Sequence, residues 1–210
     1  MKKETTREKW LEWAREIQSL AQIGLTFADN HYEKARNKRL MEIAAEITEH
    51  YTNLKSEEIV KFFMVQPGYA TPKVDVRAAI VKDGKILLVK EISDGRWAMP
   101  GGWADVGDFP AEAAEREAFE ESGFEVKAKK LIGVFDANRN GRPMEFFHAV
   151  KLVFLCEIIG GEAKTSEETS DVQFFDFDKL PPLSENRTNM KHINEIIKHL
   201  QEPERQAFFE

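Results

Sequence analysis

Two kinds of periodicity divide this chain. Between Thr5 and about Tyr51, apolar residues return at helical spacing: Trp10, Trp13, Ala14, Ile17 and Ala21 form one series, and Leu40, Ile43, Ala44 and Ile47 another. Turn formers between Gly24 and Asn30 separate the two series, which predicts a helical pair or triple. From about Lys73 the pattern alternates instead. The run VDVRAAIVKDGKILLVKE reads as two strands joined by a hairpin turn at Asp83-Gly84. Further strands are expected over 124–136, 145–159 and 172–177, with a last helix near 188–201. The segment from Ala111 to Ser122 reads differently: Ala and Glu dominate it, Pro110 suits a first helical turn, and Gly123 supplies a stop. Strands mixed with one central and one late helix predict an α+β fold, a mixed sheet with helices on both faces. A small all-helical domain precedes it, and the division is placed at 1–65 and 66–210.

Composition bounds the picture. With 210 residues, 42% of them hydrophobic and 15 Phe, the chain can bury one full core plus a smaller element. A net charge of −7 argues against a protein that grips nucleic acid over a broad surface, and leaves local contact with a nucleotide open. The single cysteine, Cys156, lies in the apolar run FLCEII, so a buried strand thiol is expected rather than a nucleophile or a disulfide. That suits a reducing cytoplasm. The opening MKKETTREKW carries charge but no apolar signal core, and no stretch approaches the about 18 apolar residues of a membrane span. Neither secretion nor membrane insertion is expected.

The chemistry concentrates in GGWADVGDFPAEAAEREAFEESGF, residues 101–124. On the helix that starts near Pro110, Glu117, Glu120 and Glu121 stand at i, i+3 and i+4, so their carboxylates converge and repel unless a positive charge lies between them. A hard cation such as Mg²⁺ or Mn²⁺, which takes oxygen ligands and shares them with water and substrate phosphates, would relieve that repulsion. Gly101 and Gly102 let the backbone come close enough to offer a carbonyl ligand or to admit a diphosphate. A merely solvated face of an amphipathic helix accounts for the glutamates alone, but not for the Pro-Gly-Gly start, the Gly stop and the Arg-Glu pair together.

These residues resemble the box of the Nudix hydrolases: Gly, five residues, Glu, seven residues, then Arg-Glu-apolar-any-Glu-Glu-any-Gly-apolar. Gly102, Arg116, Glu117, Ala118, Glu120, Glu121, Gly123 and Phe124 fit over 23 positions, and the one departure is Asp108 where the family has Glu. The resemblance assigns that residue to supporting the loop and helix start, so the shorter Asp bears on loop geometry more than on metal binding. It implies an α/β/α sandwich of Nudix type and cation-dependent hydrolysis of a pyrophosphate bond. Glu120 and Glu121 are then metal ligands together with Gly101, Glu117 a ligand or a base, and Arg116 the residue that orients the glutamates. The family often supplies a water-activating base from a loop before a late strand. Here Glu167 and Glu168 precede the strand near Val172, and Glu168 is the choice. Arg77, Arg96 and Gly102 are candidates for phosphate contact, and His148 is expected to be structural.

The N-terminal stretch, in which IQSLAQIGLTF and YEKAR carry the likeness, resembles the small domain that precedes the Nudix domain in a bacterial group acting on nucleoside diphosphates linked to another moiety. That likeness implies a nucleoside diphosphate-linked substrate, CDP-choline first and ADP-ribose second, with aromatic side chains for the base and for choline's ammonium. Trp10, Trp13 and Tyr32 read first as apolar anchors of the helix pair. So short a helical segment needs partners for its core, which favours a homodimer. The rival readings are a metal-dependent nuclease acting on RNA ends and a nucleotide sensor without turnover.

Overall fold

The computed structural model describes residues 9–52, 54–64, 67–137 and 148–210. Its contacts divide into two compact units, which part between Thr71 and Pro72. The first unit is helical: α1 (Lys9–Phe27), α2 (His31–Tyr51) and α3 (Ser56–Met64). Asn30 starts α2, its side chain accepting the Glu33 N–H at 2.9 Å. The first two helices approach closely where Gly24 faces Asn37; a Cβ on Gly24 would stand 2.3 Å from the Asn37 side chain. Ala21, Met41, Ala44 and Ala45 close a core with Ile59 and Phe63 of α3, a helix the periodicity beyond Tyr51 does not announce.

Not every apolar residue of α1 joins that core. Trp10 stacks on Tyr51 with ring centroids 4.8 Å apart, whereas Trp13 and Tyr32 stand exposed, which corrects the reading of both as internal anchors. Trp13, Leu20 and Phe27 follow one another at seven-residue steps, all more than half exposed, and so form a stripe along one side of α1.

The second unit carries β1 (Lys73–Lys82), β2 (Lys85–Glu91), β3 (Trp97–Ala98), α4 (Pro110–Ser122), β4 (Phe124–Asp136), β5 (Ala149–Gly161), β6 (Thr169–Asp176), α5 (Met190–Gln201) and β7 (Phe208–Phe209). Strand order runs β3-β2-β1-β5-β4-β7, with β6 paired to β2. The sheet is mixed: β1 runs parallel to β5, while β4 and β5 are antiparallel over nearly their whole length. Asp83 and Gly84 both take positive φ, 51° and 75°, as a tight hairpin between twisted strands requires.

Alternation on β1 explains why it is buried on both sides. Val76, Ala78 and Ile80 pack with Ala113, Ala114 and Ala118 of α4, whereas Ala79 joins Ile193 and Ile196 of α5. One helix therefore covers each face. The strand expected at 172–177 begins earlier, at Thr169, because the polar Thr-Ser-Asp segment still pairs with β2. The last helix begins at Met190, capped by Asn189. Residues 145–147, expected as strand, lie outside the described residues. No described helix is long and apolar enough to cross a membrane.

Candidate active site

The site is built where the loop before α4 crosses β1. Residues 100–104 run beside that strand: Ala78 N–H donates to Pro100 O at 2.9 Å, Val76 N–H to Gly102 O at 2.8 Å, and Ala104 N–H to Val74 O at 3.0 Å. Gly101 makes this approach possible. Its φ is +143°, and a Cβ there would sit 2.0 Å from Val76 O. The same contact turns the Gly101 N–H toward α4, where Glu121 Oε2 accepts it at 2.9 Å.

Glu121 is 6% exposed. Burial pushes its carboxyl up to about 7, against the nearby Arg77 charge and the Gly101 bond, while Glu91 and Glu117 add to the rise. Glu117, partly buried, is raised as well, by burial first and with Arg116 opposing. A Cβ on Gly102 would lie 3.0 Å from Glu117 Oε2, so the second glycine leaves room for this carboxylate. Glu120 is more exposed, its side chain at 55%.

Arg116 ties the box together. Its Nη1 donates to Glu117 Oε1 at 2.8 Å and to Glu120 Oε2 at 3.0 Å, and its Nη2 to Asp108 Oδ2 at 3.2 Å. Burial disfavours its charge, but the bond to Asp108 and the glutamates outweigh that and raise its pKa. Asp108 Oδ2 also accepts the Asp105 N–H at 3.1 Å, so the shorter acid reaches the arginine and closes the loop before the helix. Among the described residues, no three acidic, His or Cys side chains are gathered closely enough to hold a metal ion as they stand. Arg116 occupies the space between Glu117 and Glu120.

The remaining candidates fall at different depths. Arg77, 4% exposed, forms a two-pronged pair with Asp75 at 3.0 and 2.8 Å and donates to Met99 O at 3.2 Å. Its fork is thus committed within the protein, which corrects its reading as a direct phosphate contact; what it offers the site is charge, felt at Glu121. Arg96 is exposed in the loop between β2 and β3. Glu168 is exposed too, and its carbonyl accepts the Ile92 N–H at 2.9 Å, which fixes its loop to the end of β2. Cys156 is buried, with its thiol pushed up to about 12 by burial, as suits an inert residue. His148 is exposed and pairs with Asp136 at 3.4 Å.

Sequence reasoning passed over four charged residues here. Asp75 and Lys151, neighbours across the parallel β1–β5 pair, are both buried, and Arg77 and Lys151 hold the Asp75 carboxylate below its ordinary range although burial opposes this. Glu91, 4% exposed, ends β2, and Arg187 reaches it from the segment before α5. The available signal was a carboxylate closing β2, two residues after the apolar run Ile86–Val89.

Residues 71–196 match the model of the NUDIX domain, and residues 8–63 match that of the UDP-X-like, N-terminal oligomerisation domain. The chain belongs to the Nudix family. It is 35% identical over 202 residues to YjhB of Bacillus subtilis, whose name makes it a candidate ADP-ribose pyrophosphatase; the match covers 96% of this chain and 97% of that protein. It is 33% identical to an ADP-ribose pyrophosphatase of Methanocaldococcus jannaschii, across 77% of this chain and 85% of the relative. Among solved structures, a UDP-X diphosphatase matches with a TM-score of 0.62 and 33% identity over 96% of this chain and 98% of its own. An ADP-ribose pyrophosphatase from Streptococcus suis matches with a TM-score of 0.61 and 34% identity over 67% of this chain and all of its own. The chain is a Nudix pyrophosphatase.

Proposed function

We propose that this enzyme hydrolyses the diphosphate of a nucleoside diphosphate-linked compound with the help of Mg²⁺ or Mn²⁺. The observation that carries this reading is Glu121: a carboxylate 6% exposed, held by the Gly101 N–H and raised to about 7. Added positive charge beside a group so placed favours its ionised form. The donor set fits a hard divalent cation, since Glu117, Glu120, Glu121 and the Gly101 carbonyl offer oxygen alone. When bound, the cation supplies charge that neutralises the diphosphate and acidifies a water at neutral pH. Arg116 would hold Glu117 and Glu120 in register, exchanging part of its present bonds as they turn to their ligand.

Hydrolysis adds water oxygen to one phosphorus and breaks the bridging P–O bond. Glu168 is assigned to receive the water's proton, being carried on a loop fixed to the end of β2. Arg96 and the open backbone at Gly102 are assigned to the diphosphate itself. ADP-ribose, cut to AMP and ribose 5-phosphate, ranks first because two relatives matched over most of their length carry that name. CDP-choline, cut to CMP and phosphocholine, ranks second. The exposed stripe of Trp13, Leu20 and Phe27, on a unit that matches an oligomerisation domain, supports a homodimer.

The test is product analysis by liquid chromatography over ADP-ribose, CDP-choline, UDP-sugars and a short RNA, with Mg²⁺, with Mn²⁺ and with EDTA. Metal-dependent release of a nucleoside monophosphate supports the reading. Cleavage of the RNA alone would replace it with the nuclease, and binding without product would replace it with the sensor.

A further inference from the structure

Arg187 belongs to no motif. Its guanidinium, one-third exposed, has Nε 3.3 Å from Glu91 Oε1, Nη1 3.3 Å from Ser184 Oγ and 3.8 Å from Asp94 Oδ2, and Nη2 3.3 Å from Ser93 Oγ. All four contacts are longer than the about 2.7–2.9 Å of a strong charge-assisted bond. Glu91 Oε1, at the other end, is buried and accepts no hydrogen bond. That oxygen therefore lacks the hydrogen bond that ordinarily compensates a buried carboxylate, and has only the long Arg187 contact beside it.

The backbone beneath Arg187 is held firmly. Its N–H donates to Ser184 O at 2.8 Å, its carbonyl accepts Lys151 Nζ at 2.5 Å, and the hydroxyl of the next residue, Thr188, accepts the Met99 N–H at 2.8 Å. A fixed backbone thus carries a loosely held fork. Among the described arginines around the site, Arg77 is committed to Asp75 and Arg116 to the box carboxylates. Arg187 is anchored, partly open and short of strong bonds, and it lies against Glu91, whose charge reaches both Arg77 and Glu121.

We infer that Arg187 binds the anionic diphosphate of the substrate, and that Glu91 is the internal anion that holds the guanidinium in its absence; this rests on the hydrolase reading above. Glu91 and the ligand then compete for one cation. Removing the Glu91 charge strengthens the grip on an added anion, and removing Arg187 weakens it. An ion pair that only shapes the loop predicts changes in the same direction for both.

The experiment is calorimetric titration of inorganic pyrophosphate into the full-length chain in EDTA, for wild type, R187Q, R187K, E91Q and the R187Q/E91Q double variant. The expected result is binding weakened about tenfold or more in R187Q, as loss of a charge-assisted contact implies, and tightened several-fold in E91Q. The double variant should match R187Q, because the effect of Glu91 acts through Arg187. R187K, which keeps the charge without the fork, should fall between and serves if R187Q fails to fold. Wild-type affinity in R187Q and R187K, loosening in E91Q equal to that in R187Q, or no pyrophosphate binding by the wild type overturns the inference. These titrations need no turnover, so their failure leaves the product analysis standing, and failure of the product analysis is seen separately.

Discussion

Replacing Glu121 by Gln should make the metal-free protein more stable at alkaline pH while abolishing its catalytic use. In the folded chain the carboxyl titrates at about 7, against an ordinary 4.5. An unfolded chain releases this proton near its ordinary value, so between about 4.5 and 7 the folded state binds the extra proton, and stability falls as pH rises through that window. A rise of this size corresponds to about 3 kcal/mol, fully present as a penalty above pH ~7. Gln cannot ionise and keeps an oxygen for the Gly101 N–H. The E121Q advantage over wild type should therefore be larger at pH 8 than at pH 5, by up to about 3 kcal/mol, or roughly 6–12 °C in melting temperature for a chain of this size. The assay is thermal melting followed by circular dichroism in EDTA at both pH values. Added Mn²⁺ at pH 8 should raise the wild-type melting temperature more than that of E121Q, which keeps Glu117 and Glu120 but loses the buried charge that gains most from the cation. A variant-minus-wild-type difference that is equal at the two pH values, or larger at pH 5, would refute the argument.

Other substitutions read separate parts of the site. Gly101→Ala places a Cβ 2.0 Å from Val76 O at a φ of +143°, so a loss of about 3 kcal/mol or more is expected by denaturant unfolding. Asp108→Glu should be tolerated or mildly beneficial in a turnover assay, because Arg116 and the Asp105 N–H remain within reach of the longer acid; complete loss of activity would show that the loop depends on the shorter one. Cys156 should stay unmodified by iodoacetamide at pH 8 in the folded protein, with its thiol at about 12, and react once the chain is unfolded, as mass spectrometry would show.

The parts that were legible in the sequence are those where local chemistry and tertiary structure agree. Pro110, the Ala-Glu run and Gly123 specify α4 almost to the residue, and Asp83-Gly84 can adopt the two positive φ values its hairpin needs. Because α4 was placed correctly, so was the run of carboxylates on it. Burial was harder to read. Arg77 in an apolar strand looked like a fork for phosphate, but the Asp75 that occupies it lies two residues away on the same strand. Trp13 has the helical spacing of a core residue yet is exposed, because spacing fixes which side of a helix a residue takes and not what covers that side. The meeting of Glu91 with Arg187 spans nearly half the chain and depends on β2 pairing with β6 and on the anchored segment before α5. No local pattern encodes it.

If this site breaks a nucleoside diphosphate by adding water to phosphorus, the new P–O bond must carry solvent oxygen. Incubation of ADP-ribose with the enzyme and Mg²⁺ in ¹⁸O-water, followed by mass spectrometry, tests it directly. The expected products are AMP and ribose 5-phosphate, with one ¹⁸O on the phosphate of one product and none in EDTA. Label that enters without metal, or ADP and free ribose as the products, would contradict it.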